Sequence, residues 1–489
     1  MRVNSAEEWA AHVVGICEAH AERPFIAQHE SGHLAYSYAD WAQAMGDYSL
    51  PCEMISTERP VIMLFDNTTE CLLLFFVMLA RGVKPVLMHR GVVEETRKQI
   101  AGILGCEWVI TSEFGECHVE PVVYSGTNEE VPAIIDDDVA YLVFTSGSSG
   151  QPKGIQITYA NMIVEVESMT RAYRLGSEDN HLCVLPIYHA SGLYRNILIP
   201  FFCGARTTLV QQWEVGQFWE LVSSYNVQFV QVTPTVINGL LHHPSKFLRP
   251  ERLRYVGSAS APHPEELVRA FEDRFEIPLA VGYGMTEATC GITLNAVFPR
   301  SNYSVGKPID AVTLSILRDG EEVPMGEEGE IAISGENLMR GYVNVDENEQ
   351  IRFEEGLLYT GDLGYVDEDG CLYIVGRNND IVKRGDYRLN LLEIERAMSA
   401  VSEVEEVCVI DVPHTLLGSD VIAFLKSTDG VARRSREWLR LFKGVLETAK
   451  MPSEFLDIEE IPRFGALKVN RRALRERYQS MKDARKKNS

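Results

Sequence analysis

The stretch from Tyr141 to Gly154 combines the residue types that bind phosphate. It reads Tyr-Leu-Val-Phe-Thr-Ser-Gly-Ser-Ser-Gly-Gln-Pro-Lys-Gly, and residues 139–144 have the length and apolar content of a buried strand. Hydroxyls, glycines and a lysine follow this strand: Thr145, Ser146, Gly147, Ser148, Ser149, Gly150 and Lys153. Glycine lets successive backbone N–H groups converge on an anion, and the hydroxyls and the ammonium group add further donors. The pattern therefore predicts a phosphate-binding loop.

This loop differs from the Walker type, because Lys153 lies between Pro152 and Gly154 and no Gly-Lys-Ser/Thr occurs at the required spacing. Residues 155–157 alternate as a short second strand, and Thr158 is expected to cap a helix. A flexible Ser/Gly connector would have a similar composition. The bulky strand before the loop and the Pro-Lys-Gly after it favour a strand–loop–strand phosphate binder.

The elements around the loop indicate an α/β protein. Strands are predicted at 61–65, 86–88 and 108–111, with an apolar helix between the first two and an amphipathic helix from about 94 to 104. This βαβ order implies a parallel sheet covered by helices. A chain of 489 residues is too long for one core, so two or more domains are expected.

Composition excludes several functions. The chain has 70 acidic and 46 basic residues, a net charge of -24, which argues against nucleic acid or an anionic membrane as a partner. The ten cysteines show no zinc-binding spacing and predict reduced thiols in a cytoplasmic protein. No signal-peptide pattern is evident, and the longest apolar run, 71–80, has about half the length that a bilayer requires. Nothing in the sequence indicates an oligomeric state.

The loop, Thr-Ser-Gly-Ser-Ser-Gly-x-Pro-Lys-Gly, resembles the signature of the adenylate-forming superfamily, which includes acyl- and aryl-CoA synthetases, adenylation domains and luciferases. Further motifs in matching order extend the resemblance over essentially the whole chain: Tyr283-Gly284-Met285-Thr286-Glu287, Tyr359-Thr360-Gly361-Asp362, Gly376–Gly385 and Pro462–Arg471. The resemblance implies a large N-terminal domain of βα subdomains plus a β-rich subdomain, residues 1–378. A hinge then leads to a small α+β C-terminal domain, residues 379–489.

The resemblance also implies how ATP and Mg²⁺ bind. The loop from Thr145 to Lys153 is expected to hold the β- and γ-phosphates. Tyr283 would stack on adenine, and Thr286 would hold the α-phosphate. Glu287 would bind Mg²⁺, because a carboxylate is a natural hard-oxygen ligand for this ion.

The later motifs carry the ribose ligands and the hinge. Asp362 would accept hydrogen bonds from the two ribose hydroxyls, and Arg377 would reach the same sugar. Asn379 and Asp380 correspond to the hinge. The family most often has Asp or Lys as its pivot, so Asn379 is a departure that could shift the balance between the two domain poses.

Lys468 matches the catalytic lysine of the family, whose pattern is Pro-Lys-Thr-x-x-Gly-Lys-Val/Ile-x-Arg. Two neighbours depart from this pattern: Phe464 replaces the usual threonine and Leu467 the usual glycine. These replacements predict a less mobile lysine loop. They also leave open a sensor that binds the nucleotide and has lost catalysis.

Three residues are candidates for the pocket that binds the acid. His189 follows a predicted strand and closes one side of this pocket in the family, although a buried core histidine is the alternative. Arg195 lies in an apolar segment, where it could reach the surface, pair with an acid, or hold a second carboxylate of the substrate. Ser258 occupies a turn that is usually richer in glycine, so the pocket floor could be raised; an ordinary turn is the alternative.

The predicted function is ATP-dependent activation of a carboxylic acid to acyl-AMP, followed by transfer to a thiol, with coenzyme A (CoA) as the first choice. The region 188–191 lacks the aspartate that pairs with the ammonium group in amino-acid-activating members. We therefore expect a non-α-amino acid, aromatic or of short to medium length. We expect CoA because the given sequence leaves no room for a fused carrier domain after residue 489; the alternative acceptor is a separate carrier protein in trans.

Overall fold

A computed structural model of the chain describes residues 3–30, 35–50, 55–113, 116–122, 135–146, 152–244, 247–296, 298, 300–343, 352–354, 356–378, 381–385, 387–464 and 468–487. The chain divides into two compact units. The first unit comprises Met1–Leu314, Ile333–Leu358 and Gly370–Leu372, and the second Ser315–Ala332, Tyr359–Asp369 and Tyr373–Ser489. The domain boundary expected at residues 378 and 379 stays a prediction.

The helices are α1 (Ala6–Ala19), α2 (Tyr38–Asp47), α3 (Thr69–Ala80), α4 (Glu94–Leu104), α5 (Tyr159–Tyr173), α6 (Ala190–Leu193), α7 (Ile199–Phe202), α8 (Phe218–Ser224), α9 (Pro234–His242), α10 (Glu265–Phe275), α11 (Leu391–Ser399), α12 (Ser435–Phe442) and α13 (Arg471–Lys487). The predicted start of α5 and the predicted end of α4 are confirmed. Thr158 caps α5 by accepting a hydrogen bond from Asn161 N, and Gly105 ends α4 with a φ of 66°, which glycine adopts without a steric cost.

The strands of the first half of the chain are β1 (Pro24–Gln28), β2 (Ala35–Ser37), β3 (Val61–Phe65), β4 (Pro85–His89), β5 (Trp108–Glu113), β6 (Glu116–Pro121), β7 (Val139–Ser146), β8 (Pro152–Thr158), β9 (Asn180–Cys183), β10 (Arg206–Leu209), β11 (Phe229–Val232) and β12 (Tyr255–Ser258). Those of the second half are β13 (Leu279–Tyr283), β14 (Thr293–Asn295), β15 (Lys307–Pro308), β16 (Val312–Arg318), β17 (Glu321–Glu322), β18 (Gly329–Gly335), β19 (Gly341–Val343), β20 (Phe353–Glu354), β21 (Leu357–Val366), β22 (Leu372–Arg377), β23 (Ile381–Arg384), β24 (Tyr387–Asn390), β25 (Val404–His414), β26 (Gly418–Ser427), β27 (Glu454–Asp457), β28 (Arg463–Phe464) and β29 (Lys468–Val469).

Two large sheets organise the first unit. Among the described residues, one sheet has nine strands in the order β15-β14-β13-β12-β11-β9-β10-β1-β2. The other has seven, in the order β19-β8-β7-β4-β3-β5-β6. Strands β9 to β13 and β1 pair in parallel, as do β3, β4, β5 and β7. The predicted parallel architecture is confirmed.

Helix α3 lies between these sheets, which explains its uniformly apolar sequence. It contacts β1 of the nine-stranded sheet and β4 and β5 of the seven-stranded sheet. All residues from Cys71 to Leu79 are buried. A helix covered on every side has no polar face to present, so the run that is too short for a bilayer belongs to the core. No helix among the described residues is long and apolar enough to cross a membrane.

The second unit contains the C-terminal α+β region. Strands β24-β23-β26-β25 form its sheet in that order, β27 pairs with β26, and the ring of Phe442 stacks between those of Trp438 and Phe455 in the core beneath. The sequence of residues 437–446 predicts a helix over this whole range, and the prediction is wrong at its end. Helix α12 stops at Phe442, because Lys443 turns to an extended backbone. A further sheet, in the order β17-β16-β18-β21-β20 with β22 beside β21, supplies the expected β-rich region.

Candidate active site

The predicted phosphate loop joins two neighbouring antiparallel strands. Strand β7 pairs with β8, and Thr145 lies opposite Lys153. The two ends of the loop are therefore adjacent, as a strand–loop–strand phosphate binder requires. Gly147, Ser148, Ser149, Gly150 and the side chain of Ser146 lie outside the described part of the structure.

The Thr286–Glu287 motif lies on a tight turn that follows β13. Thr286–Ala288 form one 3₁₀ turn, and Ile292 N closes the segment by donating to Tyr283 O at 2.9 Å. Thr289 has a φ of 61°, which a β-branched residue rarely adopts. Its Oγ1 donates to Asn337 O at 2.6 Å. The strained turn is thus fixed by a buried hydrogen bond.

Two buried polar residues, Glu165 and Asn337, hydrogen-bond to the backbone of the turn that carries Thr286 and Glu287. Asn337 Nδ2 donates to the carbonyl oxygens of Ala288 at 3.2 Å and Gly291 at 3.0 Å. It also donates to Glu165 Oε2 at 3.1 Å, and Glu165 Oε1 accepts from Gly291 N at 2.7 Å. Burial raises the pKa of Glu165 to about 7. Sequence reasoning missed both residues, although a glutamate four positions before Met169, on the apolar face of α5, was a usable signal.

Tyr342 connects the β7–β8 hairpin to the turn that carries Thr286 and Glu287. Its hydroxyl donates to Glu287 Oε1 at 2.7 Å, and Lys153 Nζ lies 5.7 Å from the centre of its ring. Strand β19, which carries Tyr342, pairs with β8 so that Tyr342 lies opposite Ile155. Sequence reasoning did not identify Tyr342, because its position depends on pairing between strands far apart in the chain.

The donor set around Glu287 fits a Mg²⁺ ion that arrives with a nucleotide. No group of three or more His, Cys, Asp or Glu side chains that could hold a metal occurs among the described residues. Mg²⁺ is typically held by one or two carboxylates, substrate phosphates and water rather than by a cage of protein ligands. Glu287 would supply such a carboxylate, and its role in binding Mg²⁺ stays a prediction.

His189 and Ser258 lie at the same edge of the nine-stranded sheet. Ser258 ends β12, and His189 follows β9. The ring of Tyr188 lies against the rings of both His189 and His89. Burial, aided by the charge of His89, lowers the pKa of His189 to about 4, so its imidazole is neutral at pH 7. Tyr283 ends β13 at this edge too, and ligands of open α/β sheets bind at the carboxyl ends of the strands.

Ser258 is fully buried and is not free to rotate. Its Oγ lies 2.7 Å from His263 Nε2. Burial lowers the pKa of His263 to about 4, so the ring is neutral at pH 7. The hydrogen bond to His263 therefore holds the Ser258 hydroxyl in place. His263 is a further residue that the sequence did not reveal.

Arg195 is buried, which excludes the expectation that it reaches the surface. It is 1% exposed and lies in a π-helical turn, Tyr194–Leu198, with its guanidinium carbon 5.2 Å from the centre of the Tyr173 ring. Within the described part of the chain, its Nε and Nη1 have no hydrogen-bond partner. The positive charge of Arg195 lowers the pKa of Glu165, although burial raises this pKa by more. Glu165 is therefore an acid near Arg195, as one of the three expectations for this arginine requires.

The predicted ribose ligands lie together in the second unit. Arg377 Nε donates to Asp362 Oδ1 at 2.7 Å, and Asp362 N donates to Thr360 Oγ1 at 3.1 Å. Asp362 is 3% exposed, so its carboxylate is held in one position by neighbours. Their role in ribose binding stays a prediction.

Lys468 begins β29, opposite Phe464 in β28, so the predicted lysine loop is a β-hairpin. The side chains of Lys468 and Phe464 lie outside the described structure. So do residues 465–467, including Leu467, and the hinge residues Asn379 and Asp380. The catalytic and hinge roles stay predictions.

The β7–β8 hairpin, the turn that carries Thr286 and Glu287, and the sheet edge with His189 and Ser258 are the parts that the sequence predicts for a nucleotide-dependent, acid-activating enzyme. A family model described as AMP-binding enzyme matches residues 53–343. The chain belongs to this family of AMP-binding enzymes and is an AMP-forming acid–thiol ligase.

Two relatives agree with this assignment, and one solved structure has the same fold. The chain is 34% identical to the sulfoacetate–CoA ligase of Cupriavidus necator over 68% of the chain and 66% of that protein. It is 30% identical to the 2-succinylbenzoate–CoA ligase of Bacillus velezensis over 80% of the chain and 78% of that protein. The fold matches that of ATP-bound MatB from Rhodopseudomonas palustris with a TM-score of 0.84 at 23% identity, covering 96% of this chain and 99% of MatB.

Proposed function

We propose that this enzyme converts a carboxylic acid that carries a second anionic group into its CoA thioester, using ATP and Mg²⁺. The observation that carries this proposal is the buried Arg195, whose Nε and Nη1 have no hydrogen-bond partner among the described residues. The two relatives named above support the proposal, since sulfoacetate carries a sulfonate and 2-succinylbenzoate a second carboxylate.

The energetics of Arg195 favour an anionic ligand. Each buried donor without a partner costs about 1–3 kcal/mol, and a carboxylate or sulfonate offers the acceptors that a guanidinium fork matches. The neighbouring Glu165 has a pKa of about 7, so it is only partly ionised at neutral pH. It compensates the charge of Arg195 incompletely, and a substrate anion would complete the compensation.

Adenylation makes the acid reactive by replacing a poor leaving group. A carboxylate oxygen attacks the α-phosphorus of ATP, the bond to pyrophosphate breaks, and pyrophosphate leaves. The CoA thiolate then attacks the acyl carbon, the bond to AMP breaks, and AMP leaves with the electron pair. Both steps depend on positioning and on stabilising charge on phosphoryl oxygens.

The chain supplies groups for the first step. Lys153 and the loop before it bind the β- and γ-phosphates, Thr286 donates to the α-phosphate, and Glu287 holds Mg²⁺, which neutralises phosphate charge when bound. Lys468 bridges the acid and the α-phosphate. Asp362 and Arg377 bind the ribose.

CoA is the proposed acceptor because the named relatives are CoA ligases. The second candidate, loading of a carrier protein in trans, has no observation in its favour.

We also propose that the enzyme is cytoplasmic, because the nine cysteines that the structure describes are all free thiols, which persist in a reducing compartment.

ATP–pyrophosphate exchange with matched acids tests the substrate class. Each pair consists of a dicarboxylic or sulfonated acid and its monoester or neutral analogue. We expect exchange with the doubly charged member only. Preference for the neutral member would refute the proposed class, and ATP binding without acid-dependent exchange with any acid would indicate the nucleotide sensor.

Arg195→Met supplies the matched variant, and Arg195→Met combined with Glu165→Gln keeps the buried charges balanced. Removing one partner of a buried charged contact costs about 3–5 kcal/mol, so kcat/KM for the doubly charged acid should fall at least 100-fold in both variants. If the double variant keeps the wild-type preference for the doubly charged acid over its neutral analogue, Arg195 does not bind the second anionic group.

A further inference from the structure

Two groups from distant parts of the chain meet at Tyr342. The Tyr342 hydroxyl donates to Glu287 Oε1 at 2.7 Å, and the Tyr342 ring faces Lys153 Nζ at 5.7 Å. Lys153 belongs to the phosphate hairpin and Glu287 to the turn after β13. One side chain therefore hydrogen-bonds the residue proposed to hold Mg²⁺ and places its ring face near the lysine proposed to hold phosphate.

The segment around Tyr342 is fixed at several points, so the contact is not that of a mobile surface residue. Met339 N donates to Glu287 O at 2.8 Å, and Arg340 N donates to Gln156 O at 2.9 Å. From Gly341 onward the backbone is strand β19, paired with β8. The same segment thus ties the metal-binding turn to the phosphate hairpin.

The hydroxyl of Tyr342 acts as a permanent donor. Its partner at 2.7 Å is a carboxylate oxygen, which accepts hydrogen bonds, so the phenol O–H is the donor in this contact. Because it donates to Oε1, it fixes the plane of the Glu287 carboxylate. The lone pairs of Oε2 then have a set direction for a cation. Neighbours of a metal ligand orient it in this way, and their loss typically costs 10- to 100-fold in metal affinity.

We propose that Tyr342 is a positioning residue. The hydroxyl of Tyr342 orients Glu287 to bind Mg²⁺, and the ring of Tyr342 positions Lys153 to bind phosphate. This inference rests on the proposed use of ATP with Mg²⁺ and adds a residue to that site. The two contacts are separable, since phenylalanine keeps the ring and loses the hydroxyl, whereas leucine loses both.

Calorimetric titration with ATP, with and without Mg²⁺ and with no acid present, tests this proposal without turnover. In Tyr342→Phe, the gain in ATP affinity that Mg²⁺ confers should shrink about 10-fold, while affinity for metal-free ATP is unchanged. In Tyr342→Leu, affinity for metal-free ATP should also fall about 2- to 5-fold, because the contact between Lys153 and the ring is lost.

Tyr225→Phe is the matched control. Its hydroxyl also makes a 2.7 Å hydrogen bond to a polar side chain, His29 Nδ1, and it is far from the phosphate hairpin and the turn in the sequence. This variant should bind ATP as the wild type does in both conditions. An equal loss in Tyr225→Phe and Tyr342→Phe would mean a general loss of stability and would overturn the positioning role.

A double-mutant cycle with Glu287→Gln separates this inference from the proposed function. If Tyr342 acts through Glu287, then Tyr342→Phe has no further effect on Mg²⁺ dependence in the Glu287→Gln background. Full additivity, or normal Mg²⁺ dependence in Tyr342→Phe alone, would overturn the inference while leaving acid-dependent exchange by the wild type intact. Absence of that exchange in the wild type would refute the proposed function instead.

Discussion

Replacing Gly284 by alanine should displace the turn that carries Thr286 and Glu287. A Cβ at Gly284 would lie 1.8 Å from Cys290 O, 2.9 Å from Cys290 C and 3.1 Å from Gly291 Cα. These atoms are backbone, so no side-chain rotation relieves the overlap. Since non-bonded carbon and oxygen need about 3 Å, the two backbone segments must separate by roughly 1.2 Å.

A displacement of this size is large for a catalytic turn. A misplacement of about 1 Å costs about 100-fold in rate, so kcat/KM for ATP–pyrophosphate exchange by Gly284→Ala should fall about 100-fold. Overpacking should also cost about 1–3 kcal/mol of stability, measured by urea unfolding.

Gly46→Ala is the control, because a Cβ at Gly46, in α2, meets nothing within 4 Å. It should leave exchange unchanged and stabilise the helix by about 0.5–1 kcal/mol. If Gly284→Ala proves too unstable to assay, Glu287→Gln in the same assay tests the turn without a backbone clash. Normal exchange by a folded Gly284→Ala would refute the reasoning.

Two further variants test other parts of the site. Lys468→Ala should lower adenylation about 100- to 1,000-fold and spare thioester formation from preformed acyl-adenylate; equal losses in both half-reactions would contradict the role of this lysine. Glu165→Gln should change how stability depends on pH. Because the pKa of Glu165 is raised to about 7 in the folded protein, the folded state keeps a proton that the unfolded state releases, so wild-type stability falls as pH rises from about 4.5 to 7. The free energy of unfolding of Glu165→Gln relative to the wild type should therefore increase by about 3 kcal/mol between pH 4.5 and pH 8, and a constant difference in urea unfolding would contradict the raised pKa.

Local patterns in the sequence predicted much of the fold. The strand before the phosphate loop, the cap at Thr158 and the helix end at Gly105 are encoded by neighbouring residues, and the structure confirms all three. The predicted end of α12 is wrong because the amphipathic periodicity continues past Phe442, whereas the helical backbone stops there.

The candidate site was only partly predictable, because several of its contacts join distant residues. Asn337 and Tyr342 reach the turn around Glu287 only after β19 has paired with β8. His263 reaches Ser258 across a turn that carries no motif. The burial of Arg195 in turn depends on the packing of several elements that periodicity alone does not place together.

The central claim is most directly tested by analysing the products formed from ATP, CoA and the acid selected by exchange. Mass spectrometry should show one CoA thioester, one AMP and one pyrophosphate for each acid consumed, and an acyl-AMP intermediate when CoA is omitted. Formation of ADP and phosphate, or acyl-AMP that persists at saturating CoA, would contradict the proposed acid–CoA ligation.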